Sequence, residues 1–234
     1  MGDLYAGFKV HDQLEPRVWA DGDMRPEVKK RLLKIAEEFL DSMDVDVSWE
    51  DVILVGSMAN FNYSRFSDID VHIIVDFEKI NDDKGFVEEF MDAKKVIWND
   101  EHQIVVRGHE VEMYVQDIDE EVESSGVYSI LNGEWIKEPD QTKPDFDLSL
   151  VRKKAQWMMD LIDDAMESSQ REHELERLLD KLKAMRKRGL QDEGEFSEEN
   201  LAYKVLRRSG HLQRIFDTRS ADFDKSLSLE SALR

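Results

Sequence analysis

From Asp68 to Val75 the chain reads Asp-Ile-Asp-Val-His-Ile-Ile-Val, and this alternation constrains the fold more than any other stretch. Residues two apart on a strand point to the same face. Asp68 and Asp70 therefore aim side by side at one spot, with His72 on the same face. Two carboxylates held that close repel each other unless positive charge lies between them. Mg²⁺ suits such a pair, because it takes oxygen ligands and binds through one or two carboxylates plus substrate phosphates. Upstream, Leu54-Val55-Gly56-Ser57 closes a short apolar strand, Val52 to Val55, with a Gly-Ser turn. The sequence predicts that Ser57 opens a short helix, ended early by Asn62, Tyr63 and Ser64. Backbone N–H groups at its N-terminus would then form an anion site. A phosphate cradle beside a metal-binding carboxylate pair implies phosphoryl or nucleotidyl transfer.

A third carboxylate comes from the stretch after Lys94-Lys95. Gln103 to Val106, Arg107-Gly108-His109 and Glu110 to Gln116 read as a hairpin with period two. Val111, Met113 and Val115 share one face. Glu110, Glu112, Tyr114 and Gln116 share the other. Both Glu110 and Glu112 are therefore candidates.

Val55-Gly56-Ser57 followed by Asp68-Ile69-Asp70-Val71 resembles the motif of the DNA polymerase β-like nucleotidyltransferase superfamily. That pattern is an apolar residue, Gly, Gly or Ser, then acidic–apolar–acidic–apolar after roughly ten residues. Further stretches resemble small nucleotidyltransferase-like proteins of bacteriophage genomes: Leu14-Glu15-Pro16-Arg17-Val18-Trp19, the Ser67 to Asp76 strand, Gly126-Val127-Tyr128-Ser129, and Ser197 to Leu212. The resemblance implies an α+β fold, a small mixed sheet flanked by helices and followed by a helical domain. It also implies catalytic and metal-binding roles for Asp68, Asp70 and Glu112, with Glu112 preferred over Glu110 because it lies between apolar Val111 and Met113. The implied cofactor is Mg²⁺, with Mn²⁺ as a substitute. The implied substrate is a nucleoside triphosphate, ATP first, and the implied mechanism uses two metals with no covalent intermediate.

Composition narrows the remainder. A chain of 234 residues is long enough for one large or two small domains with a full core. Cysteine is absent, which excludes disulfides, thiolate zinc sites and cysteine nucleophiles. There is no run of eighteen apolar residues and no signal-peptide pattern, so the expected location is cytoplasmic, the host's cytoplasm for a phage protein, with no membrane partner. Net charge is −21. Residues 1–150 hold 15 Lys and Arg against 36 Asp and Glu, whereas residues 151–234 hold 17 of each. An acidic N-terminal half disfavours broad contact with a polynucleotide.

The chain divides at Pro139 to Asp147, a stretch with two prolines and alternating charge. The expected domains are 1–143, a catalytic domain with an N-terminal arm and a helix from Pro26 to about Met43, and 144–234, a helical domain. Lys84 to Trp98 reads as a further helix of the first domain. Val127 to Leu131 and Glu134 to Ile136 read as a second hairpin around a two-residue Asn132-Gly133 turn. Beyond the linker, Leu148 to Glu167, Arg171 to Lys187 and Ser197 to Phe216 read as helices, and the chain from Thr218 as a polar tail.

Five further residues are candidates for holding the nucleotide beside Gly56 and Ser57. Arg65, in the loop before Asp68, would neutralise a phosphate. His72 would contact the triphosphate or tune the metal site. Tyr128 would stack on the base. Lys183 and Arg186 belong to a basic stretch with Lys181, Lys187 and Arg188, which Lys204, Arg207 and Arg208 would extend. That stretch would meet the triphosphate or a tRNA. The expected acceptor is a small molecule or a protein, with tRNA less favoured.

Overall fold

The computed structural model describes residues 4–5, 8–43, 45, 47–122, 124–141 and 146–229. The architecture is α+β, with a mixed sheet and a C-terminal helical region. Two units are distinguished, Lys9–Lys143 and Met1–Phe8 with Pro144–Arg234.

The Lys9–Lys143 unit starts with a two-residue hairpin, β1 (Trp19–Ala20) and β2 (Asp23–Met24), closed by Asp21 and Gly22 at φ 52° and 89°. Helix α1 (Pro26–Asp41) starts on a proline, which the first helical turn accepts. It buries Val28, Leu32, Ile35, Ala36, Phe39 and Leu40. Then come β3 (Trp49–Val55), β4 (Ile69–Val75), α2 (Lys84–Glu101), β5 (Val105–Val106), β6 (His109–Asp117), β7 (Val127–Ser129) and β8 (Glu134–Lys137). The sheet order is β5-β6-β4-β3-β7-β8. Among the described residues, only the β4–β6 pairing of this sheet is parallel.

Register decides which side chains share a face. Leu54 pairs with Val71 and Tyr128, and Val71 pairs with Met113. These four are buried in one cluster with the apolar sides of α1 and α2. The adjacent row, Val55–Asp70–Glu112, therefore points to the opposite face. Beyond the short β5, the outer edge of β6 meets α2. Asn99 Nδ2 donates to the Met113 carbonyl at 3.1 Å, and the Met113 N–H donates to Asn99 Oδ1 at 3.1 Å. One amide side chain thus satisfies two groups of an edge that would otherwise invite pairing.

The second hairpin differs from expectation. Its strands stop at Ser129 and restart at Glu134, leaving Ile130 to Gly133 as a four-residue loop. The Gly133 N–H donates to the Ser129 carbonyl at 2.9 Å, and Gly133 takes φ 77°. Buried Ile130 leaves the pairing with β8 while its N–H still donates to the Val52 carbonyl of β3 at 2.7 Å.

The helical unit comprises α3 (Leu148–Glu167), α4 (Arg171–Glu193), α5 (Glu198–Arg208) and α6 (His211–Leu227). Asp147 caps α3 by accepting from the Ser149 N–H at 2.7 Å. Residues 142–145 of the predicted linker lie outside the described residues. Ala155, Met158, Ile162, Leu175, Leu182, Val205, Leu206 and Ile215 form the core. At the α4–α5 crossing, a Cβ on Gly189 would lie 2.7 Å from Ser197 Oγ. Two corrections arise here. The stretch Ser197 to Phe216 is two helices, broken at Gly210, which takes the left-handed φ of 79° that glycine tolerates. The stretch after Thr218 is helical to Leu227, not a tail. The N-terminal residues also group differently, because Leu4, Tyr5 and Phe8 pack on this helical core. Arg208 donates to the Leu4 carbonyl at 3.1 Å and covers the Phe8 ring. Among the described residues no helix is long and apolar enough to cross a membrane.

Candidate active site

Asp70 and Glu112 are direct register partners on the parallel strands β4 and β6. Neighbouring strands lie about 4.8 Å apart, so the two carboxyl groups rise side by side. Asp68 comes two residues earlier, at the mouth of β4, on the same side. Glu110 lies farther out, exposed, paired with Val105 of β5. The register therefore pairs Asp70 with Glu112, not Glu110.

Tyr114, two residues beyond Glu112, is the common neighbour of all three acids. Its hydroxyl donates to Glu112 Oε2 at 2.6 Å. Burial raises its pKa first, and the hydrogen bond to Glu112 and the charges of Glu112, Asp70 and Asp68 raise it further. Tyr114 consequently stays protonated and remains a donor throughout the neutral range.

Gly56 brings the backbone against this row. It takes φ 69°, and a Cβ there would lie 2.3 Å from Asp70 Oδ2. No other residue fits without moving the carboxylate. The expected helix after it is only a four-residue 3-10 turn, Gly56–Ala59, ending in extended Asn60. So short a turn sums few peptide dipoles. Its first donors are also engaged. The Gly56 N–H donates to Ser124 Oγ at 3.2 Å, and Ser124 Oγ in turn donates to the Gly126 carbonyl at 2.8 Å. Ser57 Oγ donates to Ser67 Oγ at 2.7 Å. In place of the expected helix, a single 3-10 turn fastens Gly56 and Ser57 to neighbouring loops. The Trp19 indole N–H holds the same turn from the core side, donating to the Met58 carbonyl at 2.8 Å.

Behind Asp68 lies a polar chain, buried at His109 and Glu15, that sequence reading missed. His109 Nδ1 lies 2.7 Å from the Ser67 carbonyl, and Arg17 Nη2 lies 2.6 Å from His109 Nε2. Guanidinium only donates, so Nε2 accepts and the ring proton sits on Nδ1, donating to Ser67. Arg17 Nε also donates to Glu15 Oε1 at 2.7 Å. Burial opposes ionisation of Glu15, but its bonds to Arg17 outweigh this and hold its carboxyl below the usual range. The Leu14–Trp19 stretch thus reaches, through His109, the residue next to Asp68. No local signal reveals this, because His109 reads simply as the end of a hairpin turn.

The other candidates separate. His72 is on the carboxylate face, its Nδ1 donating to Gln116 Oε1 at 2.7 Å and its ring 4.8 Å from Tyr114. Burial lowers its pKa, favouring the neutral form. Arg65 is exposed over the Phe66 ring. Tyr128 is only 2% exposed, edge-on to Trp19 and Trp135. Its pairing with Leu54 puts it on the opposite face from Asp70, so base stacking is corrected to core packing. Lys183 and Arg186 lie on α4 of the helical unit. Lys183 is exposed, while Arg186 Nε donates to Asn200 Oδ1 at 3.1 Å and its guanidinium covers Tyr203.

The donors of Asp68, Asp70 and Glu112 are all carboxylate oxygens, the hard ligands that suit Mg²⁺ or Mn²⁺. The described acids whose ligand oxygens all lie within 4.8 Å of one another are Glu193, Glu198 and Glu199. Lys154 already neutralises that set, lying beside Glu198 and Glu199. Asp68, Asp70 and Glu112 do not converge this closely, and the Glu112 carboxylate is held by Tyr114. Compared with known proteins, the chain matches no family model, no curated protein and no solved structure.

Proposed function

We propose that this chain is an Mg²⁺-dependent nucleotidyltransferase of the polymerase β-like kind. It would move a nucleoside monophosphate from a triphosphate, ATP first, to a hydroxyl of a small-molecule or protein acceptor. One observation carries the reading. Asp70 and Glu112 are register partners on parallel strands, with Asp68 two residues before and the Gly56 backbone pressed against Asp70. A surface strand with incidental acids has no need of that glycine.

Asp68, Asp70 and Glu112 are the residues that would hold the metal. When bound it supplies charge neutralisation at the phosphates and a lowered pKa for the acceptor hydroxyl. The chain's own residues set the geometry. Tyr114 orients the Glu112 carboxylate. His109 and Arg17 steady the Ser67 carbonyl, and with it the approach to Asp68. Gly56 lets the backbone come close beside Asp70, and the bond from Ser57 to Ser67 ties the two loops together. The acceptor oxygen bonds to the α-phosphorus as pyrophosphate leaves, and no side chain forms a covalent adduct.

The test is a cell extract incubated with the chain, Mg²⁺ and ATP radiolabelled at the α-phosphate. Label in protein or in a small product supports the reading as stated. Label released by nuclease moves the acceptor to tRNA. No Mg²⁺-dependent label with any of the four nucleotides leaves a non-catalytic interaction protein and refutes the reading.

A further inference from the structure

The sequence of α2 places Phe86, Phe90, Ala93 and Ile97 on one face, at steps of four, three and four. The core takes a different face. Val87 and Met91 are the α2 residues it buries, about 100° round the helix from that stripe. Phe90 packs partly on the core. Phe86 and Ile97 are left 61% and 53% exposed, with Val96 beside them at 55%. A helix that needed only its inner face would carry polar residues here.

The spacing is that of a coiled-coil seam. Steps of four and three alternate, so Phe86 and Ala93 take d positions and Phe90 and Ile97 take a positions. Glu89 then falls at g, and Lys94, five residues on, at e. Residues five apart do not meet on one helix, and no opposite charge lies three or four residues from either. Neither makes an ion pair among the described residues, and Lys94 lies over the Phe90 ring at 5.5 Å.

In two parallel helices, by contrast, a g side chain meets the e side chain five residues on in the other helix. A second copy of α2 laid parallel puts Glu89 beside Lys94 of that copy, and two-fold symmetry repeats the pair. An antiparallel copy sets e against e and g against g, which joins neither charge to its opposite. Charge complementarity therefore selects both the occupant and its orientation. A lipid surface fits poorly, because Glu89 and Asp100 border the stripe where a membrane-lying helix carries cations. Asp100 takes the next d position and ends the seam. Two heptads give a small contact, of the kind that forms and dissolves with concentration.

We infer that α2 is a self-association surface: two copies of this chain pair through parallel α2 helices, with Phe86, Phe90, Ala93 and Ile97 in the seam and Glu89–Lys94 pairs across it. The inference stands apart from the proposed nucleotidyl transfer.

The experiment is sedimentation velocity of the full chain from micromolar to millimolar concentration. Physiological salt is used, so that the charge of −21 on each copy is screened beyond about 8 Å. A reversible monomer–dimer equilibrium is expected. Glu89→Lys alone and Lys94→Glu alone each replace two attractive pairs with two repulsive ones. Each should raise the dimer dissociation constant about fivefold or more. The double swap restores the pairs at the parent's net charge and should return the constant to the parent's value. Phe86→Ser, at an exposed position, should abolish the dimer while circular dichroism shows the parent's helix content. A chain that stays monomeric at every concentration overturns the inference, whether or not it binds zwitterionic lipid vesicles instead. So does a dimer untouched by Phe86→Ser. A double swap as weak as the single ones means an antiparallel or unrelated contact and overturns it equally.

Discussion

Gly56→Ala probes the contact on which the site is built. A Cβ there would lie 2.3 Å from Asp70 Oδ2 and 3.2 Å from its Cγ. Ordinary contact begins near 3.4 Å, so the carboxylate must retreat by about 1 Å. The left-handed φ of 69° adds about 1–2 kcal/mol for any L side chain. Loss of unfolded-chain entropy offsets roughly 0.4–1 kcal/mol of this, and local overpacking adds about 1–3 kcal/mol. The net expectation is a destabilisation of about 1–5 kcal/mol, a fall in melting temperature of roughly 2–20 °C for a chain this size. Displacing Asp70 should also weaken Mg²⁺-dependent nucleotide binding at least tenfold. Thermal unfolding and calorimetry with Mg²⁺ and a non-hydrolysable ATP analogue measure both effects. An alanine variant that melts with the parent and binds nucleotide equally well would refute the reasoning, because the turn would then have no need to approach Asp70.

Glu112→Gln should cut transfer at least ~100-fold while largely sparing nucleotide binding, since each ~1.4 kcal/mol of lost transition-state stabilisation costs tenfold; Glu110→Gln should be mild, and reversed rates would move the third ligand to Glu110. Arg17→Met should leave buried His109 Nε2 without its donor, costing about 1–3 kcal/mol in urea unfolding and loosening nucleotide binding; an unchanged unfolding midpoint would remove the polar chain from the account. Burial holds the folded pKa of His72 below the ordinary imidazole range, so the unfolded chain takes up the proton first as pH falls. The contribution of the neutral ring is full above the ordinary imidazole pKa and is lost as pH falls through the folded one; parent stability should drop from pH 7 to 5 more steeply than that of His72→Gln, and parallel curves would contradict the assignment.

The β4 strand was legible because its alternation is strict and one face is fully buried. Ile69, Val71, Ile73 and Val75 are all buried, as their spacing demands. Residue type alone also identified the β5–β6 hairpin and the α3 boundaries, with Asp147 acting as the cap. The break between α5 and α6 was hidden, because Val205, Leu212 and Ile215 keep apolar residues at helical spacing across Gly210. Tyr128 was misread for a different reason. Its face depends on pairing with Leu54, some seventy residues away, and no local pattern encodes that register. Gly56 stood out in the sequence as a phosphate-loop glycine, yet its conformation answers to Asp70, fourteen residues on. The bonds from His109 to Ser67 and Arg17 span 42 and 92 residues, beyond any periodicity argument.

Nucleotide binding by the Asp68→Asn, Asp70→Asn double variant tests the central claim most directly. Calorimetry should show that the parent binds the ATP analogue only with Mg²⁺ and that the variant does not bind it. A cooperative urea transition of the variant should show that it is folded. A folded double variant that binds nucleotide with Mg²⁺ as tightly as the parent would contradict the account.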